Sequence, residues 1–168
     1  MSQGEGRELV HFSESESVYH RAAALFDAEL PRIKTLIPAA LVEHVGATSV
    51  PGMLTKGDLD IVVRVSAEQF ANAEAALATS YPRNAANWHS DSFASFSVDD
   101  STPPLGVQLC AIDGPEDTFV RLRDLLRSRP SLVERLNTLK RTWHGRPMDE
   151  YRVAKGRFID DVLAGKID

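Results

Sequence analysis

Two aspartates, Asp58 and Asp60, stand two residues apart at the head of the apolar run DLDIVVRV. In a strand both side chains leave the same face, about 6.5 Å apart, and can share a divalent cation. Hard cations take oxygen ligands, and magnesium in particular is held by one or two carboxylates together with the phosphates of a substrate; manganese accepts the same donors. An isolated D-x-D is equally what a strand end with two solvated aspartates looks like. Here the pair opens an otherwise buried-looking strand directly after a glycine loop. Aspartate is disfavoured in such a place, so its cost calls for some compensation.

The loop upstream, GATSVPGMLTKG, holds three glycines and a proline and continues neither a helix nor a strand. Gly46, Ala47, Thr48 and Ser49 begin it, offering backbone N–H groups and small hydroxyls to a docking anion such as a triphosphate. It is not a P-loop, since no Gly-Lys-Ser/Thr follows at the required spacing. Two lysines draw notice further on. Tyr151, Lys155 and Ile159 follow at i, i+4 and i+8, which puts the Lys155 ammonium on an apolar helix face where it needs an anion. Phosphate is one candidate, and a structural carboxylate or snorkelling past the aromatic ring is the other. Lys140, at the edge of its own apolar stripe, carries the same two readings. His44 is read as a hydrogen-bonded core residue rather than a ligand or base.

The elements that must position these groups follow from periodicity. Tyr19, Ala23, Phe26, Leu30, Ile33 and Ile37 recur at helical spacing up to Pro38, with Pro31 predicting a kink or a split. Before them the first dozen residues read as a loose lead-in. ALVEHV and DLDIVVRV are strands on either side of the glycine loop, and residues 66–79 form a helix opened by a serine cap. Residues 81–95 read as a loop, with short strand character at 93–98. LGVQLCAI, residues 105–112, is a strand with Val107, Leu109 and Ala111 on one face and Gln108, Cys110 and Ile112 on the other. Three helices close the chain: one from Phe119 ended by Pro130, one opened by a Ser131/Glu134 capping box, and one capped by Asp149 and stopped at Gly165. The expected class is α/β or α+β, a small mixed sheet with helices packed on one face and a C-terminal helical segment, as one domain over residues 1–168.

Bulk properties restrict the function. No run approaches the roughly 18 apolar residues of a membrane span, and the polar start lacks the character of a secretory signal. The lone Cys110 forms no internal disulfide and no metal cage, which fits a reducing cytoplasm. A net charge of −5 argues against non-specific nucleic-acid binding. That average hides an asymmetry, with 7 Lys/Arg against 15 Asp/Glu in residues 1–114 and 12 against 9 in residues 115–168. A metal-binding half beside a phosphate-clamping half would look so, and so would solvated helix faces of differing composition.

The order Val45, Gly46, Ala47, ten residues, Asp58, Leu59, Asp60, Ile61 resembles the signature of the polymerase-β-like nucleotidyltransferase superfamily. The narrower resemblance is to the GrpB family, whose pattern runs close to E-H-I-G-S-T-S-V-P-G followed by K and D-I. Here it reads Glu43, His44, Val45, Gly46, Ala47, Thr48, Ser49, Val50, Pro51, Gly52, then Lys56, Asp60 and Ile61. It continues in the helices at Arg123 and Asp124, Pro130, Leu139 and Lys140, and Tyr151, Lys155, Phe158 and Ile159, leaving residues 81–104 with little match.

The resemblance implies a nucleotidyltransferase fold and transfer of a nucleotidyl group from a nucleoside triphosphate to an unidentified acceptor. In that reading Mg2+ or Mn2+ sits on Asp58 and Asp60, the Gly46–Ser49 turn and Lys56 hold phosphates, and Lys140 and Lys155 neutralise the leaving pyrophosphate. Three departures matter. Ala47 replaces the family's serine and loses a hydroxyl. Both aspartates are present, where many relatives keep only the second. The third carboxylate of active superfamily members is matched by Gln108, which orients a substrate or water or is merely a polar strand residue. With one metal but no third carboxylate, activating the attacking hydroxyl is harder. A catalytically silent protein binding a nucleotide or phosphorylated metabolite in the same pocket is therefore the alternative, and an accessory domain is a third.

Overall fold

The computed structural model describes residues 6–168. Four strands, β1 (Leu41–Val45), β2 (Leu59–Val65), β3 (Phe93–Val98) and β4 (Leu105–Ala111), form one sheet in the order β1-β2-β4-β3. β2 and β4 are parallel, while β1 and β3 flank them antiparallel, so the sheet is mixed. The short strand expected at 93–98 is present as β3.

Alternation along the central strands decides which face meets what. Leu59, Ile61, Val63 and Val65 of β2 join Leu105, Val107, Leu109 and Ala111 of β4 on one face. Helices α1 (Glu16–Leu36) and α2 (Phe70–Ala78) cover that face through Ala22, Ile33, Phe70, Ala73 and Leu77. Helix α1 runs unbroken through Pro31. The carbonyl that proline leaves without a donor belongs to Asp27, four residues back on the exposed side, open to solvent.

The opposite face carries Asp60, Val62, Gly106, Gln108 and Cys110. Helices were expected on one face only, but Val62 and Cys110 are buried here too, and α3 (Phe119–Ser128) packs Phe119 and Val120 on them. Helix α4 (Pro130–Trp143) and helix α5 (Met148–Leu163) extend this layer, packing Leu132, Leu136 and Val162 with Leu126 of α3. Three expected caps are not made. Ser66 leads a short 3-10 turn, Ala67–Gln69, without a side-chain cap bond, and α2 begins only at Phe70. Helix α4 begins at Pro130, whose preset φ suits a first turn, which leaves Ser131 inside the helix and Glu134 bonded to Arg141 at 2.9 Å. Helix α5 begins at Met148, so Asp149 lies in its first turn facing Arg7 rather than capping it.

Two long-range ties shape the site. Of the expected loose lead-in, residues 1–5 lie outside the described residues, and the rest is a strap. Val10 is fully buried, its N–H donates to the Arg146 carbonyl at 2.9 Å, and the Ser13 N–H donates to the Thr55 carbonyl at 2.7 Å. Second, buried Asn137 of α4 accepts the Leu54 N–H and donates to the Gly52 carbonyl, both at 2.8 Å, clamping the glycine loop to the helix. Asn137→Ala strands a buried donor and acceptor, so we expect a loss of about 2–4 kcal/mol in urea unfolding. A loss under about 0.5 kcal/mol would show that the clamp contributes nothing.

Candidate functional site

Asp60 is seated by glycine on both sides. Its strand partner on β1 is Val45, followed by Gly46, and its partner on β4 is Gly106. Gly46 has φ 76°, and a Cβ there would overlap the Asp60 carboxylate. A Cβ on Gly106 would come within 2.9 Å of Asp60 Oδ1 and 3.3 Å of Gln108 Nε2. No other side chain has its Cβ room here, so the carboxylate sits in a slot between two bare backbones.

Among the described residues the Asp60 carboxylate has no hydrogen bond and no ion pair within 4 Å. Burial raises its pKa above the usual carboxylate range, opposed first by the charge of Lys155 and reinforced by Asp58. Asp58 lies just before β2 rather than in it, more exposed, with one oxygen 3.5 Å from Lys56 Nζ. Burial lowers the pKa of Lys155, against the pull of Asp60. Lys140, 2% exposed, is lowered to about 6 by burial and then by Lys155 and Lys56. Its Nζ donates to the Leu54 carbonyl at 2.6 Å and lies 5.6 Å from the Phe12 ring centre. Three lysines thus crowd two carboxylates in a low-dielectric corner, an arrangement suited to bound polyanion.

This corner opens on a cleft of about 1000 Å³. Ala47, Lys56, Asp58, Asp60, Lys140 and Lys155 all line it. The strap supplies one wall through Glu8, His11 and Phe12, and the opposite wall comes from Asn84, Asn87, Ser97 and Asp99. Neither wall was foreseen in the sequence, since the strap read as a lead-in and residues 81–95 as a loop. The other expected contacts lie differently. The Ser49 hydroxyl donates to the Gly46 carbonyl at 2.6 Å, and the Thr48 hydroxyl donates to the Asp58 carbonyl at 3.0 Å. Both hydroxyls are buried and committed to the turn, which corrects the expectation that they face an anion. No backbone bond takes the Ala47 and Thr48 N–H groups among the described residues. Gly46 faces the backs of the helices, and Gln108 lies beneath Gly106, its Oε1 buried without a protein partner, outside the cleft wall.

His44 has the structural place expected of it. Its ring stacks on Phe26 at 5.5 Å, and because Thr48 spends its hydroxyl proton on Asp58, Nε2 of His44 donates to Thr48 Oγ1 at 2.9 Å. Burial, then Arg127 and Arg123, lower its pKa to about 4. No group of three His, Cys, Asp or Glu among the described residues makes a free-standing metal cage. Two carboxylates, one of them unpaired, do fit magnesium brought in with substrate phosphates.

Comparison with known proteins places this geometry. The sequence matches the family model described as GrpB protein over residues 17–165. A UPF0157 protein of Vibrio cholerae serotype O1 is 36% identical over 135 residues, 78% of this chain and 70% of that protein. The crystal structure of the conserved protein GrpB from Enterococcus faecalis superposes with a TM-score of 0.70 at 20% identity, over 92% of this chain and 98% of that one. The Cid1 poly(U) polymerase with MgGTP bound superposes with a TM-score of 0.54 at 13% identity, over 76% of this chain and 42% of that one. At such identities the likeness is one of fold, and the fold is nucleotidyltransferase-like.

Two predictions follow from the slot and from His44. Gly46→Ala meets both a strained φ and the Asp60 carboxylate, so it should cost more than 2 kcal/mol in urea unfolding, whereas Gly52→Ala, with φ 78° but open space, should cost only about 1 kcal/mol. Equal losses would remove the slot from the account. Because folding lowers the His44 pKa from 6.5 to about 4, the unfolded chain binds the proton first. Stability should therefore fall as pH drops from about 6.5 to 4, and His44→Gln should flatten that slope; an unchanged slope would contradict the assignment.

Proposed function

Since the chain belongs to the GrpB family, we propose that it transfers a nucleotidyl group from a nucleoside triphosphate to an acceptor, with magnesium or manganese, in the reducing cytoplasm. The observation that carries this reading is the unpaired, half-buried Asp60 carboxylate in the field of Lys155 at the edge of a polar cleft wide enough for a nucleotide. When bound, the divalent ion screens the phosphates and polarises the one that is attacked. Asp60, with Asp58, holds it. The free N–H groups of Ala47 and Thr48 bind phosphate oxygens, and Lys155 and Lys56 balance the charge of the departing pyrophosphate. Lys140 acts one step back. Tied to Leu54, it fixes the loop and contributes field rather than a direct contact. The strap and the β3 side of the cleft keep the triphosphate between them and reduce its access to water.

Magnesium-dependent binding of a non-hydrolysable triphosphate, measured by calorimetry, tests this directly. Asp60→Ala and the Asp58→Ala/Asp60→Ala pair should lower affinity at least tenfold, and equal affinities would sink the reading. One observation favours a second reading, a binding protein without turnover: Gln108 offers no third carboxylate beside Asp60. The two part over labelled triphosphate. Label passed to any acceptor from a cell extract excludes the silent protein, and bound but unreacted triphosphate supports it.

A further inference from the structure

Adjoining the cleft is a second, narrower chamber of about 230 Å³ between the end of the sheet, the glycine loop and helices α3, α4 and α5. Its walls are mainly apolar: Val50, Phe119, Leu122, Leu126, Leu136 and Ile159. Ala47, Asp60, Lys140 and Lys155 border both spaces, so the candidate reacting group stands on the partition between a polar cleft and an apolar chamber. Like the cleft, this chamber is partly open to solvent. At about 30 Å³ per water it has the volume of roughly eight, the size of a phenol or a short-chain alcohol.

We propose that the chamber receives the acceptor, and that the acceptor is a small alcohol or phenol with an apolar body and one hydroxyl turned to Asp60; this rests on the nucleotidyl-transfer reading of the cleft. The polar groups on the partition select that head. Arg123, which also borders the chamber, is spent on Glu43 at 2.9 Å and the His44 carbonyl at 3.1 Å, and Lys140 is spent on Leu54. Lys155 faces the phosphates. What remains is the Asp60 oxygen that the metal does not take, which accepts a hydrogen bond from a hydroxyl and has none to give a carboxylate. In the transfer, the hydroxyl oxygen bonds to the α-phosphorus as the bond from that phosphorus to its bridging oxygen breaks. Pyrophosphate leaves with the bonding pair, and the hydroxyl proton passes to the Asp60 oxygen it is bonded to and from there to water in the open cleft. The apolar walls hold the body still, which is what turns a collision into an aligned attack.

Backbone amide resonances of the nitrogen-15-labelled chain, followed during titration with phenol and with benzoate, test the chamber without any need for turnover. Phenol should move the Leu122, Leu126 and Ile159 amides saturably, and benzoate should bind at least tenfold more weakly. Leu122→Phe, which fills the chamber, should weaken phenol tenfold while triphosphate affinity stays within twofold. The comparison of phenol with benzoate needs only the native chain, so it decides the matter even if the variant folds poorly. Unmoved amides, or benzoate binding as well as phenol, would overturn the proposal. Triphosphate binding without phenol binding overturns this proposal alone, whereas phenol binding without triphosphate binding overturns the acceptor role together with the reading it rests on.

Discussion

The seat of one carboxylate governs the rest of this structure. An aspartate at the second position of a buried strand is costly, because desolvation penalises its charge and no neighbour among the described residues hydrogen-bonds it. The chain accommodates it by placing glycine at both flanking positions, Gly46 and Gly106, and by surrounding it with lysines on three other elements. Each concession has consequences. A glycine at the end of β1 lets the backbone turn sharply, so the loop Ala47–Ser49 begins beside the carboxylate, and a glycine on β4 leaves Gln108 room to lie underneath.

The lysines demand concessions of their own. Lys140 is almost wholly buried, and it is tolerated because the loop carbonyl of Leu54 accepts its hydrogen bond and the ring of Phe12 covers it. That ring belongs to the strap, which is held by backbone bonds to residues 145, 146 and 148 and to Thr55. Asn137, one turn earlier on α4, repeats the arrangement with Gly52 and Leu54. Loop, strap and helix α4 thus form a single braced wall, and the polar cleft and the apolar chamber lie on either side of the residues it holds. A fold with a small sheet gains in this way a rigid site from segments that contribute little to its main core.

Much of this was legible in the sequence, and the reasons are local. Alternation in LGVQLCAI and the continuous run after Asp60 declare strands within a few residues, and glycines at 46, 52 and 57 declare a loop. Spacing paired Asp58 with Asp60, the family resemblance added Lys140 and Lys155, and all four line the cleft. What was not legible depends on partners far along the chain. Asn137 reads as an ordinary helix residue because its two partners lie 83 and 85 positions away. The strap has no periodicity, since its order comes from bridging α5 and the glycine loop rather than from its own pattern. Thr48 and Ser49 show that a residue type suited to phosphate is equally suited to closing a turn, and direction cannot be read from type. The Ser131/Glu134 box fails for a similar reason, because Pro130 starts the helix one residue sooner.

The central claim is that Asp60 is left unpaired among lysines because a metal-bound polyphosphate completes it. A crystal structure grown with magnesium and a non-hydrolysable triphosphate tests that most directly. The account predicts a metal at about 2.0–2.1 Å from an Asp60 oxygen, with phosphate oxygens on the Ala47 and Thr48 N–H groups and within reach of Lys155. A triphosphate bound elsewhere, or an Asp60 carboxylate left bare beside a bound nucleotide, would contradict it.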